Sequence, residues 1–293
     1  MAATAAAAAS PQFSVVIPTR ARAASLAECL ARLAPGRQAE VAGGCEVIVA
    51  DDGVAPASTE AQLARNFPWA RWVAGPRRGP AANRNCGARL ARGEWLVFTD
   101  DDCLPDARWL AAFAEAADAA PEIAVLEGRT SSGRPLTGLF EIAPVNETGG
   151  MLWSCNFAIR RAAFEQLGGF DENFPAPHLE DVDLRVRIGH AGWPVRFVSA
   201  AEVVHPPRAL TPVWLQVRDH RSYFYFARKH GVSLRAAGLS GAAFWRGRLS
   251  ALRGSRSMVE AGRFAGRCLL EAVLLVPMCA WWLVSSAGSR KTP

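Results

Sequence analysis

Gly93-Glu94-Trp95-Leu96-Val97-Phe98-Thr99-Asp100-Asp101-Asp102-Cys103-Leu104-Pro105 is the stretch on which the reading of this chain turns. The apolar run Trp95 to Phe98 fits a strand buried on both faces, and it ends in three adjacent carboxylates before Pro105 stops regular pairing. Neighbouring carboxylates repel, and a divalent cation, which takes hard oxygen ligands, is one way to make them compatible. A solvated acidic turn is the plain alternative, since Asp forms turns whatever its function. An EF-hand loop fits worse, because it needs a Gly and a distant Glu at set offsets and Pro105 interrupts the run. The strand in front favours a ligand site: open α/β sheets gather ligands beyond the carboxyl ends of their strands.

Upstream, Phe13 to Ile17 reads as a β-branched strand closed by Pro18-Thr19, followed by a helix with Leu26, Cys29, Leu30 and Leu33 on one face and a stop at Pro35-Gly36. Glu46 to Ala50 reads as a second strand and delivers Asp51-Asp52-Gly53 at its end. A helix through Leu63, a strand Ala70 to Ala74 and a loop Gly75 to Pro80 lead to a helix carrying Asn83, Arg84 and Asn85. This is the grammar of βαβ units with right-handed crossovers. Two strand ends present carboxylates and a helix start presents Arg84, an edge suited to a ligand that is part anion and part hydroxyl-rich, such as a nucleotide diphosphate on a metal. Neither a P-loop nor a Gly-x-Gly-x-x-Gly turn follows any strand, which disfavours a P-loop kinase or a dinucleotide dehydrogenase.

Downstream, an Ala-rich helix to Ala120 and a strand Ile123 to Leu126 precede residues 128–150, whose weak periodicity reads as a mobile loop or hairpin. After Met151 to Ile159 comes a short helix ending at Gly168-Gly169-Phe170-Asp171, and then His178-Leu179-Glu180-Asp181-Val182-Asp183-Leu184 opens a helix that stops near Gly192. Acids at a helix start are also ordinary dipole partners. The strands Val195 to Val198 and Val203-Val204 lead to His205-Pro206-Pro207-Arg208, where His205 sits on a constrained loop with a neutral imidazole suited to a metal.

At 293 residues, half of them apolar and a fifth charged, the chain is long enough for one large domain with an appendage. The net charge of +6 is modest, and six arginines cluster between Phe244 and Arg267 against one acid, Glu260, so nucleic acid is not the expected partner. Seven cysteines without a Cys-x-x-Cys pair point to a reducing compartment rather than a zinc site or disulfide frame. Residues 2–9, nearly all Ala, read as part of a disordered tail over 1–10 rather than a secretory signal.

Tyr223 to Phe226 fits a helix that closes the main domain, and Phe244 to Arg267 has the composition of a basic helix on an anionic membrane surface. It runs into Leu269 to Val284, a strongly apolar stretch of 16 residues interrupted by Glu271 and Pro277, just short of a usual span of ~17–25. With Glu271 near one end able to reach the interface, and Trp281, Trp282, Arg290 and Lys291 toward the other, an interfacial anchor is expected in preference to a buried core helix. The arginines in front would place the chain on the cytoplasmic face, peripheral or C-terminally anchored.

Taken together, residues 11–230 resemble the family 2 glycosyltransferases. The resemblance rests on Val16-Ile17-Pro18-Thr19, Ala50-Asp51-Asp52-Gly53, Gly79-Pro80-Ala81-Ala82-Asn83-Arg84-Asn85-Cys86-Gly87, Asp100-Asp101-Asp102, Gly168-Gly169-Phe170-Asp171 and Glu180-Asp181-Val182-Asp183-Leu184, six pieces in the family's order. It implies an α/β fold of the GT-A type, a Rossmann-like mixed sheet flanked by helices, with residues 231–293 as a helical, membrane-associating extension. It implies inverting transfer of a sugar from a nucleotide-diphosphate sugar to a hydroxyl acceptor, a glycan or lipid-linked one, in cell-surface glycan or glycolipid synthesis. Thr19 and Asp52 match positions at the nucleotide base and ribose, Arg84 one beside the nucleotide, and Asp100 and Asp102 the outer acids of Asp-x-Asp, with Asp101 between them. Asp102 and His205 would hold the divalent cation, Mn²⁺ or Mg²⁺, and Asp181 matches the catalytic base. Trp153, Asn156, His178 and Glu180 would lie around the acceptor. Two positions depart from the pattern: Ala21 stands for the usual Asn, and Leu179 for the usual small residue. A nucleotidyltransferase, or a non-catalytic sugar-nucleotide-binding or scaffold member, are the competing readings; the former usually carries a Gly-rich basic signature after its first strand, which Pro18-Thr19-Arg20-Ala21 is not.

Overall fold

The computed structural model describes residues 10–54 and 56–289, so the expected Ala-rich tail lies almost wholly outside the described residues. These residues form two compact units. The first comprises the chain up to Gly133 with Pro144–Glu172 and Glu180–Pro206; the second comprises Arg134–Ala143, Asn173–Leu179 and the chain from Pro207 onward.

In the first unit the elements run β1 (Phe13–Thr19), α1 (Ala23–Leu33), β2 (Cys45–Asp51), α2 (Pro56–Asn66), β3 (Ala70–Ala74), α3 (Pro80–Leu90), β4 (Trp95–Phe98), β5 (Leu104–Pro105), α4 (Trp109–Ala119) and β6 (Val125–Ser131). In chain order, β7 (Glu141–Ile142) belongs to the second unit, and the first resumes with β8 (Phe157–Arg160), α5 (Arg161–Gln166), α6 (Glu180–His190) and β9 (Val195–Val204). Eight strands form one sheet in the order β3-β2-β1-β4-β8-β6-β9-β5. The half β3-β2-β1-β4 is parallel; β8 is antiparallel to both β4 and β6, β9 is parallel to β6, and β5 is antiparallel to β9. This is the mixed sheet flanked by helices that the motif pattern implies.

The alternation of side chains along β1 explains the layering. Phe13, Val15 and Ile17 pack with Leu26, Cys29, Leu30 and Leu33 of α1 and with Trp109 and Phe113 of α4. Val16 faces the other way, into a layer with Ala81 and Ala88 of α3, Phe164 of α5 and Leu184 and Ile188 of α6. Strands covered on both faces carry apolar residues on both sides, which is why β4 reads as an unbroken hydrophobic run and β1 as one broken only by the buried Ser14 before Thr19 at its end.

Three expectations need correction. The 123–126 strand extends as β6 to Ser131, because its partner β9 is a single strand through Val204, with a register irregularity opposite Gly128 and Arg129. Residues 144–152 are not a free loop: the buried Glu127 carboxylate accepts Asn146 Nδ2 at 2.8 Å and the backbone N–H groups of Gly150 at 2.6 Å, Met151 at 2.8 Å and Leu152. The basic stretch 244–267 is not one helix either.

In the second unit, β7 pairs with β10 (Arg208–Ala209), followed by α7 (Val213–Asp219), α8 (Arg221–Lys229), α9 (Gly241–Leu252) and α10 (Met258–Ser289). Arg253 to Ser257 separates the last two helices. Along α10, Phe264, Cys268, Glu271 and Leu275 form a buried stripe at helical spacing, whereas Leu269, Leu270, Val273 and Val276 are exposed. Glu271 does not reach an interface. It is 1% exposed, with Arg248 Nη2 of α9 at 2.8 and 3.0 Å from its two oxygens and His220 Nε2 at 3.5 Å. The stretch Met258–Trp282 is long and apolar enough to cross a membrane, and its outward face is its more apolar one.

Candidate functional site

The parallel strands β1, β2 and β4 end side by side, so Thr19, Asp51-Asp52 and Asp100 to Asp102 gather at one edge of the sheet. Thr19 Oγ1 donates to Asp101 Oδ2 at 2.6 Å. Burial pushes the Asp101 carboxyl up to about 6, despite that hydrogen bond and the charge of Arg22. Arg22, which sequence reasoning passed over, places Nη1 at 3.1 Å from Asp101 and 2.7 Å from Asp102. It partly resolves the repulsion that the triple Asp poses. The only local signal for it was a second Arg directly after the strand-end turn, Arg20-Ala21-Arg22.

Asp52 is engaged from the other side. Its carboxylate accepts the backbone N–H groups of Arg77 at 2.7 Å and Gly79 at 2.9 Å, folding the 75–79 loop over the end of β2. The approach needs a glycine at 75, where a Cβ would fall 2.4 Å from Asp52 Oδ1 and 2.0 Å from Asn83 Oδ1. Asn83 Nδ2 in turn donates to the carbonyls of Ala50 at 3.0 Å and Thr19 at 3.3 Å, tying α3 to both strand ends.

Arg84 sits at the centre of the acidic groups. Only 3% exposed, it donates Nη2 to Asp100 at 2.6 Å and Nη1 to Glu180 at 3.3 Å, with its guanidinium 5.6 Å from the Phe170 ring. The Gly168-Gly169 turn, both residues with positive φ, delivers Phe170, whose backbone N–H and carbonyl are both held by the Asn85 amide at 2.9 and 2.8 Å. One arginine thus links the strand-end acids to the start of α6. Burial raises Glu180 to about 7, with the neighbouring Asp181 charge adding to the shift and Arg84 opposing it. Asp181 is raised by burial too, offset by the Val182 N–H at 2.8 Å and the charge of Arg84.

Asp102 and His205 come together from opposite ends of the sequence, Asp102 Oδ1 lying 3.4 Å from His205 Nε2. The backbone N–H of His205 is fixed on the Ser131 carbonyl at 2.8 Å. Cys103 Sγ lies within 4.8 Å of the same atoms, although its side chain is sealed in the core. A carboxylate oxygen and an imidazole nitrogen fit a Mn²⁺ or Mg²⁺ ion with room for further oxygen ligands; a buried soft sulfur does not add to it.

The remaining expected residues divide. Asn156 is 1% exposed and consumed by the scaffold: Oδ1 accepts the Trp109 indole N–H at 2.8 Å, and Nδ2 donates to the carbonyls of Arg129 and Ala201 at 2.7 and 3.0 Å. Three of the four hydrogen bonds its amide can make are thus spent on the scaffold. Trp153 is half-buried, with an indole N–H that finds no partner among the described residues. His178 belongs to the second unit, its ring 5.1 Å from that of Tyr223, and burial lowers its pKa.

Residues 14–168, just over half of the chain, match the family model described as glycosyl transferase family 2. The chain belongs to that family. A family 2 relative in Mycobacterium tuberculosis, an N-acetylglucosaminyl-diphospho-decaprenol L-rhamnosyltransferase, is 37% identical over 99 residues, 32% of this chain and 32% of the relative. A second from the same organism, a pre-mycofactocin glycosyltransferase, is 30% identical over 217 residues, 69% of this chain and 44% of the relative. The chain therefore spans between a third and a half of the length of these two curated relatives. Among solved structures, a mannosyltransferase from Pyrobaculum calidifontis in complex with GDP-Man and Mn²⁺ superposes with a TM-score of 0.56 at 20% identity, covering 95% of this chain and 86% of the other. At that identity the likeness is one of fold, and the fold is GT-A.

Both departures from the family 2 pattern fall on strained backbone. Ala21 (φ 54°) and Leu179 (φ 73°) are two of the four non-glycine residues with positive φ among the described residues. A side chain in the left-handed region costs about 1–2 kcal/mol, and Asn tolerates it better than Ala. Because Ala21 is exposed, substitution there acts on backbone alone. Ala21→Gly is expected to stabilise the protein by about 0.5–1 kcal/mol after the entropic cost of glycine, a Tm rise of roughly 1–4 °C by calorimetry. An unchanged or lower Tm would show that the strain is absent.

Proposed function

We propose that this protein transfers a sugar from a nucleotide-diphosphate sugar to an acceptor hydroxyl, with inversion and with a divalent cation. The observation that carries the reading is the meeting at one sheet edge of Asp102 with His205 and, through Arg84, of Asp100 with Glu180 next to Asp181. Thr19 and Asp52 border the base and ribose. Asp102 and His205 would hold the cation, whose charge would offset that on the departing diphosphate. Asp181 takes the proton of the acceptor hydroxyl as its oxygen bonds to the anomeric carbon and the carbon–diphosphate bond breaks on the opposite face. No covalent sugar–protein intermediate is needed. The backbone contacts of Asp52 and the Arg84 lattice keep these groups in place before any ligand arrives.

The exposed apolar face of α10, with arginines on α9 and on the first turns of α10, supports attachment to a membrane on its cytoplasmic face and a lipid-linked or membrane-proximal glycan acceptor. One relative, the rhamnosyltransferase, acts on a decaprenol-linked substrate, which agrees with that choice.

The test is a thermal-shift series with UDP-, GDP- and dTDP-sugars and Mn²⁺, followed by assay of nucleotide diphosphate release. A donor at 100 times its Kd is expected to stabilise by about 2.7 kcal/mol. No shift and no release with any donor would defeat the reading. A related result concerns Arg22, which now compensates the acids that a cation would neutralise. Arg22→Ala is expected to lose about 0.5–1 kcal/mol without metal and to show a larger Mn²⁺-induced Tm shift than the parent protein. Equal Mn²⁺ shifts would separate Arg22 from the cation site.

A further inference from the structure

Outside the strand-end site, the second unit holds a groove of about 480 Å³ lined by Pro175, by Arg221, Phe224, Tyr225 and Arg228 of α8, and by Pro277, Met278 and Trp281 of α10. Its walls are apolar, and its volume falls in the range of small-molecule sites, about 300–1,000 Å³. A concave slot of this size takes a single chain; a flat patch would suit a bilayer surface.

The charge at its margin sets the chemistry of the occupant. Arg221 and Arg228 lie seven residues apart on α8, about 10 Å along one face of the helix, and both are exposed. Neither makes an ion pair with any described residue, although other arginines of the unit do: Arg248 holds Glu271, and Arg218 holds Asp219. Unpaired guanidiniums beside an apolar slot are complementary to a ligand with a phosphate head and a hydrocarbon tail, since guanidinium binds phosphate through paired, charge-assisted hydrogen bonds. Trp281, 64% exposed on the groove wall, offers the half-wet aromatic surface typical of lipid interfaces.

We propose that this groove binds a single-chain lipid phosphate, its tail in the slot between α8 and α10 and its phosphate between Arg221 and Arg228. The assignment rests on the membrane-proximal reading above and narrows it: the acceptor carries a lipid phosphate or diphosphate anchor, recognised apart from the hydroxyl that receives the sugar.

The full chain in maltoside micelles is titrated calorimetrically with hexadecyl phosphate, hexadecanol, inorganic phosphate and phosphatidylglycerol. Hexadecyl phosphate is expected to bind at least about tenfold tighter than each of the other three. The double variant R221Q/R228Q is expected to lose about 10- to 100-fold in that affinity. Met278→Trp, which fills the slot and leaves the charges in place, is expected to lose a comparable amount. Nucleotide-sugar hydrolysis should persist in both variants, which reports that they are folded. Unchanged affinity in either variant overturns the proposal, as does phosphatidylglycerol binding as tightly as the single-chain phosphate, which would make the surface a general bilayer contact. Because the titration uses no donor and no metal, failure of sugar transfer in a protein that still binds hexadecyl phosphate counts against the catalytic reading alone.

Discussion

Asp102→Ala is expected to reduce sugar transfer by at least about 10²- to 10³-fold and to abolish the dependence of donor binding on Mn²⁺. The magnitude is that of removing one preorganised electrostatic contact to a departing anion. Asp102 is the acid best placed for this role: Asp100 is committed to the buried Arg84 at 2.6 Å and Asp101 to Thr19 at 2.6 Å, whereas the Arg22 that Asp102 holds at 2.7 Å is exposed and displaceable. Asp102 also keeps a side chain that is 22% exposed and faces His205. Loss of this carboxylate should spare the fold, because Asp101 retains Arg22 at 3.1 Å and His205 stays anchored through its backbone. His205→Ala should follow in the same direction with a smaller loss, since one ligand and the diphosphate oxygens remain. Titration of donor affinity against Mn²⁺ is the measurement. A variant whose affinity still rises with Mn²⁺ as the parent's does would remove Asp102 from the cation site.

The strand-end half of this site was legible in the sequence for a physical reason. Parallel strands buried on both faces must be continuously apolar, so the point where β1, β2 and β4 turn polar marks the edge where a ligand can sit. What sequence could not show were polar groups whose partners lie far along the chain. Asn156 was placed near the acceptor by the family resemblance alone; the indole N–H of Trp109, 47 positions away, which its Oδ1 accepts, is a partner that local pattern does not encode. Glu127 carried no signal at all, yet its carboxylate holds the 146–152 segment. Glu271 posed the same problem. In isolation it marked an interruption in an apolar run, and only Arg248, from the preceding helix, makes its burial tolerable. β8 was missed because its four residues owe their strand state to being clamped between β4 and β6, a long-range pairing that local pattern does not encode. Ala21 and Leu179 are the reverse case. As departures from a motif, Ala21 puts little in doubt and Leu179 bears on the acceptor pocket, whereas both sit at left-handed backbone positions, where the choice of residue acts on strain.

Asp181→Asn is expected to lower transfer by about 10²- to 10⁴-fold while leaving donor affinity within a few-fold of the parent, as befits loss of proton abstraction alone. The structure explains why this position can serve as a base near neutral pH. Glu180 and Asp181 are adjacent, the first buried and the second half-buried, desolvation disfavours both charges, and Glu180 is pushed up to about 7. Arg84 works against that penalty, and because it also binds Asp100 it connects the ionisation of the pair to the donor side of the site. The sign of the pH dependence follows. A base acts only when deprotonated, so the raised pKa of Asp181 moves the acid limb of the rate profile up from the ordinary carboxylate range, and kcat/KM should fall on acidification at a higher pH than a free Asp would give. In the Asn variant the residual rate should lose most of that slope, since the group that had to be ionised is gone. Glu180→Gln gives the contrasting outcome: it leaves the Asp181 carboxylate in place, so the acid limb should persist while most of the activity survives. Near-normal turnover in Asp181→Asn, or an acid limb that it leaves unmoved, would place the base elsewhere, with Glu180 and then Asp183 the next to test. Asp183, fully buried and paired with Arg187 at 2.8 Å, is much the less accessible of the two.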